Sequence, residues 1–527
     1  MLAVEFNSHG RVMRFCRALF RPSLADLFFA FLLIAMFGRP QAWQALLGDG
    51  DTGWHIRTGD YILQTGRVPQ ADPFSFTRAG QPWFAWEWLS DVIFASLHRW
   101  HGLAAVAGLA AGVLGLSAVF LFCWLLRRGS GLWIAVAVTL LAVSQSSIHA
   151  LARPHIFSLL LATQALWILD EDRRSPGLLL WWLVPLTALW ANLHAGFAGW
   201  LLILGLLVLV SGIARHWKNF LRYGTLAALC SAATLLNPYG WRLHQHIAQY
   251  LGSSWIMEHV QEFQSPSIRS ENMIVFALML LFGVVSAGRP LGRRQWFDGL
   301  LVIAWGFAAL RSARHVPWYA IVSAPVIASE CATWWSGLAA RKPARSAIRI
   351  FWDLSLDLGR SRHISIWAPT LGALVIGISL PAARLADFPE SRFPVAAVGA
   401  NLNRLVPAGS MPRILTSDQW ADYLIFQLYP LQRVFFDGRS DFYGPSVGDD
   451  YQALLSVGAG WRGALDRYGF DIALLPKDWA LGNLLQDSPD WTVVYRDSIS
   501  VLLMRRSEKV SVDPKEIRET CRTYICD

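Results

Sequence analysis

Apolar residues gather into runs along this chain, separated by short polar breaks, and the runs are long. They cover residues 24–37, 103–126, 132–149, 154–169, 178–193, 197–213, 220–236, 273–287, 296–310, 317–335 and 364–383. This pattern predicts about eleven transmembrane helices, several of them drawing on flanking polar residues to reach the ~20 residues of an upright span. Between the first two runs, residues 48–101 mix turn chemistry (Arg67-Val68-Pro69, Asp72-Pro73, Gln81-Pro82) with amphipathic stretches. Trp86, Leu89, Ile93, Leu97 and Trp100 recur at helical spacing, which predicts a helix lying along the membrane surface. Beyond residue 384 the pattern changes. Strand-like runs at 413–416, 433–437, 471–475, 491–495 and 500–504 alternate with helical stretches at 418–428 and 447–457, predicting a small α/β domain. The expected organisation is a transmembrane domain over 1–383, carrying a large outer loop at 48–101, and a second domain over 384–527.

Composition agrees with the pattern. Of 527 residues, 54% are hydrophobic and 16% charged, where soluble domains carry roughly 25% charged. Mean hydropathy is +0.36, which excludes a disordered chain and argues against a string of soluble domains. The formal charge of +9 would suggest nucleic acid in a soluble protein; here it points to cytoplasmic loops facing anionic lipid. Cations also set the expected orientation. Arg127/Arg128, Arg173/Arg174, Arg215/Lys218/Arg222, Arg289/Arg293/Arg294 and the cluster from Arg341 to Arg362 fall on alternate connections, all on the side of Arg11, Arg14, Arg17 and Arg21. The N-terminus is therefore expected inside, behind a signal-anchor, and everything after Ala383 outside.

In that orientation the conspicuous polar groups fall at the outer face, where they are informative because polarity near membrane depth is costly. Asp49 and Asp51 follow the first run; Glu87 and Asp91 sit four apart on the surface helix. Arg153 and His155 bracket Pro154, Asn192 and His194 share one outer turn, and Arg311, Arg314 and His315 form the last. Asn237, Pro238 and Tyr239 close the seventh run, and Glu262 follows in the next loop. Each has a plainer reading: Asp49 as a helix cap, Glu87 and Asp91 as a solvated face, the histidines as interfacial, the arginines as snorkelling to headgroups. The outer arginines lie where the inside bias depletes them, and binding phosphate from the membrane surface would explain their presence. The chain has no GxxxxGK[ST] loop, HExxH or GxSxG motif. Cys16, Cys123, Cys230 and Cys331 stand alone, whereas Cys521 and Cys526 lie close enough to pair or to remain free thiols.

Three stretches together carry a resemblance: Asp51-Thr52-Gly53-Trp54-His55-Ile56-Arg57-Thr58-Gly59, the run from Val68 to Thr77, and Trp86-Glu87-Trp88-Leu89-Ser90-Asp91. They resemble the first outer loop of bacterial multi-pass proteins grouped with the GT-C glycosyltransferase fold. Arg153-Pro154-His155, Asn192-Leu193-His194, Asn237-Pro238-Tyr239-Gly240 and the segment from Val434 to Arg439 fit the same pattern. The resemblance implies a GT-C-like polytopic helical protein of the bacterial inner membrane with an extracytoplasmic α/β domain. It implies transfer of a sugar from a polyprenyl-phosphate donor to a glycan, lipid or protein acceptor, without nucleic acid. A catalytic aspartate in the first outer loop is expected, Asp51 before Asp49, acting as general base. Arg153, Arg314 and His315 would hold the phosphate, His155, Asn192 and His194 are further substrate-binding candidates, and Glu87 or Asp91 would orient the acceptor or a divalent ion. Mg or Mn is the candidate cofactor, with Asp49, Asp51, Glu87 and Asp91 as candidate ligands. The competing class is a non-catalytic scaffold or transporter binding a ligand at its outer face; a transporter predicts ionisable groups at mid-membrane, where the runs are mostly clean.

Overall fold

A computed structural model describes residues 20–38, 42–269, 271–360, 363–379 and 387–506. The N-terminal arginines up to Arg17, Cys16, and the Cys521–Cys526 pair lie outside the described residues. The chain divides into two compact units. One holds the chain up to Ala71 and Pro82–Phe388; the other holds Asp72–Gln81 together with the chain from Pro389 onward.

A helix occupies each of the eleven apolar runs of the first unit, and among the described residues three more helices of eight residues or longer lie between them. The helices are α1 (Leu24–Phe37), α2 (Asp51–Thr65), α3 (Trp88–Arg127), α4 (Leu132–Gln145), α5 (His155–Arg174), α6 (Leu183–Leu193) and α7 (Phe197–Ile213). They continue as α8 (Trp217–Ala233), α9 (Trp241–Gly252), α10 (Glu271–Gly292), α11 (Trp296–Arg311), α12 (Val316–Ala340), α13 (Ala347–Leu358) and α14 (Trp367–Ser379). Among the described residues, three helical stretches are long and apolar enough to cross a membrane: α3, the stretch Leu132–His149, and α10 from Met273. Helix α1 starts on a capping box in which Ser23 accepts from the Ala25 and Asp26 amides and Asp26 accepts from Ser23 at 2.8 Å. The amphipathic helices α9 and α13 lie between the apolar runs; Ser346 caps the second of them.

Helix α3 is broken at His101 and Gly102, which leave helical backbone angles, Gly102 at φ +67°. The break separates an amphipathic first part from the apolar span 103–127. The predicted stripe of Trp86, Leu89, Ile93, Leu97 and Trp100 is half-buried to exposed, and the opposite face, with Ser90, Asp91, Phe94 and Ala95, is buried. That buried face packs on α2 at very short range. A Cβ on Gly59 would lie 2.0 Å from the Asp91 carbonyl oxygen and 2.7 Å from the Ala95 Cβ. Since backbone would have to move, Gly59→Ala is expected to cost about 3 kcal/mol of stability. A melting temperature equal to wild type would refute this close approach.

The second unit is built on a mixed sheet of β1 (Ile414–Leu415), β2 (Ile472–Pro476), β3 (Trp491–Arg496) and β4 (Ser500–Arg505) in the order β1-β2-β4-β3. Strand β1 pairs parallel with β2, and β2–β4 and β3–β4 pair antiparallel. Its longer helices are α15 (Asp418–Leu428), α16 (Ser440–Ser456), α17 (Trp461–Tyr468) and α18 (Ala480–Gln486). The predicted strand at 433–437 makes only isolated bridges, Val434 with Ser75 and with Ile414. Its partner is a segment of the early loop, which enters this unit as Asp72–Gln81.

Candidate active site

The first site element is the N-terminus of α2. Asp49 accepts the Asp51 amide at 3.0 Å, fixing the turn that enters the helix. Thr52 donates to the Ala152 carbonyl at 2.9 Å, and the Ala152 amide donates to Leu46 at 2.7 Å. These bonds bring the turn before α5 against α2, although the two are about a hundred positions apart. The turn carries Arg153.

Arg153 is the hub. Its Nη1 donates to Asp49 at 2.9 Å and to Glu262 at 2.6 Å, while its Nη2 lies 2.7 Å from Asp51. Burial opposes the guanidinium charge, but Asp49, Asp51 and Glu262 outweigh it and raise its proton affinity well above the ordinary value. For Glu262 burial would raise the carboxyl; Arg153 and then Arg314 reverse this and hold it well below the usual carboxylate range. Arg314 stands beside this group, donating to the Tyr250 hydroxyl at 2.9 Å and lying over the rings of Tyr250 and Phe263. It lies 3.9 Å from Glu262.

A second group joins the first. His55, one turn along α2 from Asp51, places Nδ1 2.6 Å from Asp91 and Nε2 3.5 Å from Glu87. His194 faces the other Glu87 oxygen at 3.4 Å. Burial and then Arg153 push the His55 imidazole well below its ordinary value; burial and then Arg314 do the same to His194. Arg153 and Arg314 thus act electrostatically on His55 and His194, although these residues come from turns and helix ends far apart in the sequence.

The remaining sequence candidates are placed differently. Asn192 accepts from the Trp88 indole at 2.9 Å and donates to the Ala188 and Leu236 carbonyls, so its polar atoms tie turns together. His155 lies 2.7 Å through Nε2 from the His149 carbonyl oxygen. His315 packs against Trp305, and burial, with Arg314 next, pushes it down to about 4. Sequence reasoning missed His55 as a site residue, and treated Glu262 only as an acid of an outer loop. The signal for His55 was its position four residues after Asp51 on the same helix face.

The candidate metal ligands do not form a metal-binding set. Among the described residues no group of three or more His, Cys, Asp or Glu side chains is arranged to hold an ion. Asp49 and Asp51 turn to the Arg153 guanidinium and Asp91 to an imidazole, so the donor set does not fit a divalent cation.

The fold of the chain is similar to that of solved oligosaccharyltransferase structures. It is similar to the archaeal oligosaccharyltransferase AglB from Archaeoglobus fulgidus in complex with an inhibitory peptide and a dolichol-phosphate, with a TM-score of 0.53 and 13% identity over 86% of this chain and 69% of that one. The apo form of the Archaeoglobus fulgidus oligosaccharyltransferase matches with a TM-score of 0.51 and 12% identity over the same shares. ArnT from Cupriavidus metallidurans bound to undecaprenyl phosphate also matches, with a TM-score of 0.47 and 16% identity over 92% of this chain and 99% of that one. No protein-family model and no curated protein matches the sequence.

Proposed function

We propose that the chain is a membrane glycosyltransferase that moves a sugar from a polyprenyl-phosphate carrier to an acceptor hydroxyl at the outer face of a bacterial inner membrane. In this reading the N-terminus is cytoplasmic and the C-terminal α/β unit extracytoplasmic. The observation that carries it is the Arg153 hub, with Arg314 beside it, at the helix ends that also hold Glu87 and its two imidazoles. Transfer requires two things of a protein: a carboxylate to take the acceptor's proton, and fixed cations for the departing phosphate. Arg153 and Arg314 supply the cations. They are already held in place by carboxylates and aromatic rings, so little reorganisation is needed when charge develops on the leaving oxygen. Asp51 and Asp49 orient Arg153, and an acid of the same outer loop takes the proton. The lipid headgroup arrives sideways from the bilayer at the level of these turns.

The test is incubation of the purified protein with a panel of polyprenyl-phosphate sugars and hydroxyl acceptors, reading donor-dependent product. Failure of every donor to yield product would end this reading. Asp51→Asn keeps the size of the side chain but removes one of the carboxylates on Arg153. It is expected to lower transfer about 10²-fold with membrane insertion unchanged. Full activity in that variant would remove Asp51 from the machinery.

A further inference from the structure

Glu87 differs from the other acids of the site in what faces it. Asp49 and Asp51 each meet the Arg153 guanidinium, whereas Glu87 lies between two imidazoles, His55 at 3.5 Å and His194 at 3.4 Å. Pairing with a guanidinium holds a carboxylate ionised and weakens it as a base; an imidazole can exchange a proton with it.

The tautomer of His194 follows from its neighbours. The Gly196 amide, which can only donate, points at His194 Nδ1 at 3.0 Å. The Trp190 indole donates to the Ser158 oxygen at 2.7 Å, which leaves the Ser158 hydroxyl proton for the same Nδ1, also at 2.7 Å. Nδ1 is therefore an acceptor, and the neutral ring carries its proton on Nε2, facing Glu87. His194 thus fixes one Glu87 oxygen and favours its ionised form.

His55 is set differently. Its Nδ1 lies 2.6 Å from an Asp91 oxygen, so a proton must lie between them, on either partner. When Nδ1 holds that proton, Nε2 is open toward Glu87. When Asp91 holds it, Nε2 carries a proton and donates toward Glu87. Exposure orders the three groups: the Glu87 side chain is 11% exposed, His55 1% and Asp91 0%. Of these three groups Glu87 is the most exposed. The other Asp91 oxygen is buried without a hydrogen-bond partner, and burial favours the uncharged form of a carboxyl.

We infer that Glu87 takes the proton of the acceptor hydroxyl and that His55 and Asp91 carry it inward, an assignment that rests on the transferase reading above. As the acceptor oxygen bonds to the anomeric carbon, its O–H bond breaks and the proton passes to Glu87. Starting from the form with the shared proton on His55 Nδ1 and Asp91 ionised, Glu87 gives a proton to His55 Nε2 while Nδ1 gives its proton to Asp91. The electron pair of the breaking anomeric C–O bond stays on the lipid phosphate, facing Arg153 and Arg314. One proton has moved from the acceptor to Asp91, and it returns by the same path when product leaves. Glu87 is the catalytic residue; His55, Asp91, His194 and Ser158 are positioning residues.

The test uses the full-length protein in detergent or nanodiscs with the donor found active above. Glu87→Gln is expected to lower kcat about 10²-fold with donor KM within threefold, and Glu87→Asp to keep part of the activity. His55→Gln is expected to lower kcat about tenfold, because Glu87 must then keep the proton. The double variant is expected to be no slower than Glu87→Gln alone, since His55 acts only through Glu87. His55→Gln should also move the acid limb of the kcat/KM profile to lower pH, because Glu87 then no longer faces the Nε2 lone pair that the relay requires. The charged and titratable groups around His55 are Asp91 and Glu87 at the start of α3, Arg153 and His155 at the start of α5, and His194 after α6. Since Arg153 and the other histidines stay in the variant, a shift reports the relay. Additive losses in the double variant, or an unmoved acid limb, would overturn the relay while leaving the transferase reading intact. Glu87→Gln within threefold of wild type would remove Glu87 as the base. Should Glu87→Gln not fold, Glu87→Asp decides: activity equal to wild type, with the same acid limb, also overturns the assignment.

Discussion

Arg439→Leu is expected to destabilise the second unit by about 4 kcal/mol, because it strands two carboxylates in a dry interior. Arg439 donates from Nε to one Asp437 oxygen at 2.8 Å and from Nη2 to the other at 2.6 Å, and its Nη1 lies 2.8 Å from Asp72. Tyr443 donates to Asp437 at 2.7 Å, and Asp72 also takes the Phe74 and Ser75 amides. Asp72, Asp437, Arg439 and Tyr443 are all buried. Burial opposes the Arg439 charge, and Asp437 and Asp72 outweigh it, raising its proton affinity well above the ordinary value. The cation also lies over Phe74 and Phe442 at 5.0 and 5.2 Å, a geometry that suits a planar guanidinium. Arg439→Lys keeps the charge but loses the fork and should fall between Leu and wild type. Thermal unfolding with limited proteolysis provides the measurement, new cleavage within 389–506 marking the second unit. A midpoint for Arg439→Leu equal to wild type would show that this network contributes nothing.

The same network shows where sequence reading stops. The apolar runs were legible because a helix that spans a bilayer needs a continuous apolar stretch, and short polar breaks mark the turns. Strands β2, β3 and β4 could be read from local alternation, as could α15. The segment 433–437 reads as a strand by the same local rule, yet Val434 pairs with Ser75, more than three hundred positions away. Nothing near residue 75 announces that pairing. Asp72 likewise looks like part of a turn beside Pro73, and Arg439 supplies the charge that pairs with it in the interior. In the site, Asp49, Asp51 and Arg153 were legible as polar groups at the ends of apolar runs, and the structure brings them together. His55 was not, since a histidine inside a helix beside Trp54 reads as interfacial, and its partners Glu87 and Asp91 come from another helix. Gly59 is of the same kind: only the Asp91 carbonyl lying against it shows why a side chain is excluded.

Arg153→Gln is expected to abolish transfer almost completely, by about 10³-fold in kcat/KM, because it removes the cation best placed for the leaving phosphate. A second effect separates this residue from an ordinary surface arginine. Asp49, Asp51 and Glu262 converge on one guanidinium, and without it they would face one another. The wild-type Glu262 carboxyl is held below its ordinary range, so its contribution to stability is complete above that range and is lost as pH falls below it. In Arg153→Gln burial and the neighbouring acids act on Glu262 without that opposing cation, and its proton affinity rises. The variant then takes up protons on folding where the wild type does not, so lowering the pH relieves it. The melting-temperature gap between wild type and Arg153→Gln should be widest near neutrality and should narrow toward about pH 4, as Glu262 protonates in the variant. Arg153→Lys should close part of the stability gap but recover little transfer, because a point charge cannot bridge carboxylates on several sides and still present a face to phosphate. A gap that stays constant from pH 7 to about pH 4 would mean that the carboxylates do not depend on Arg153 for their charge. The site would then have to hold phosphate by Arg314 alone.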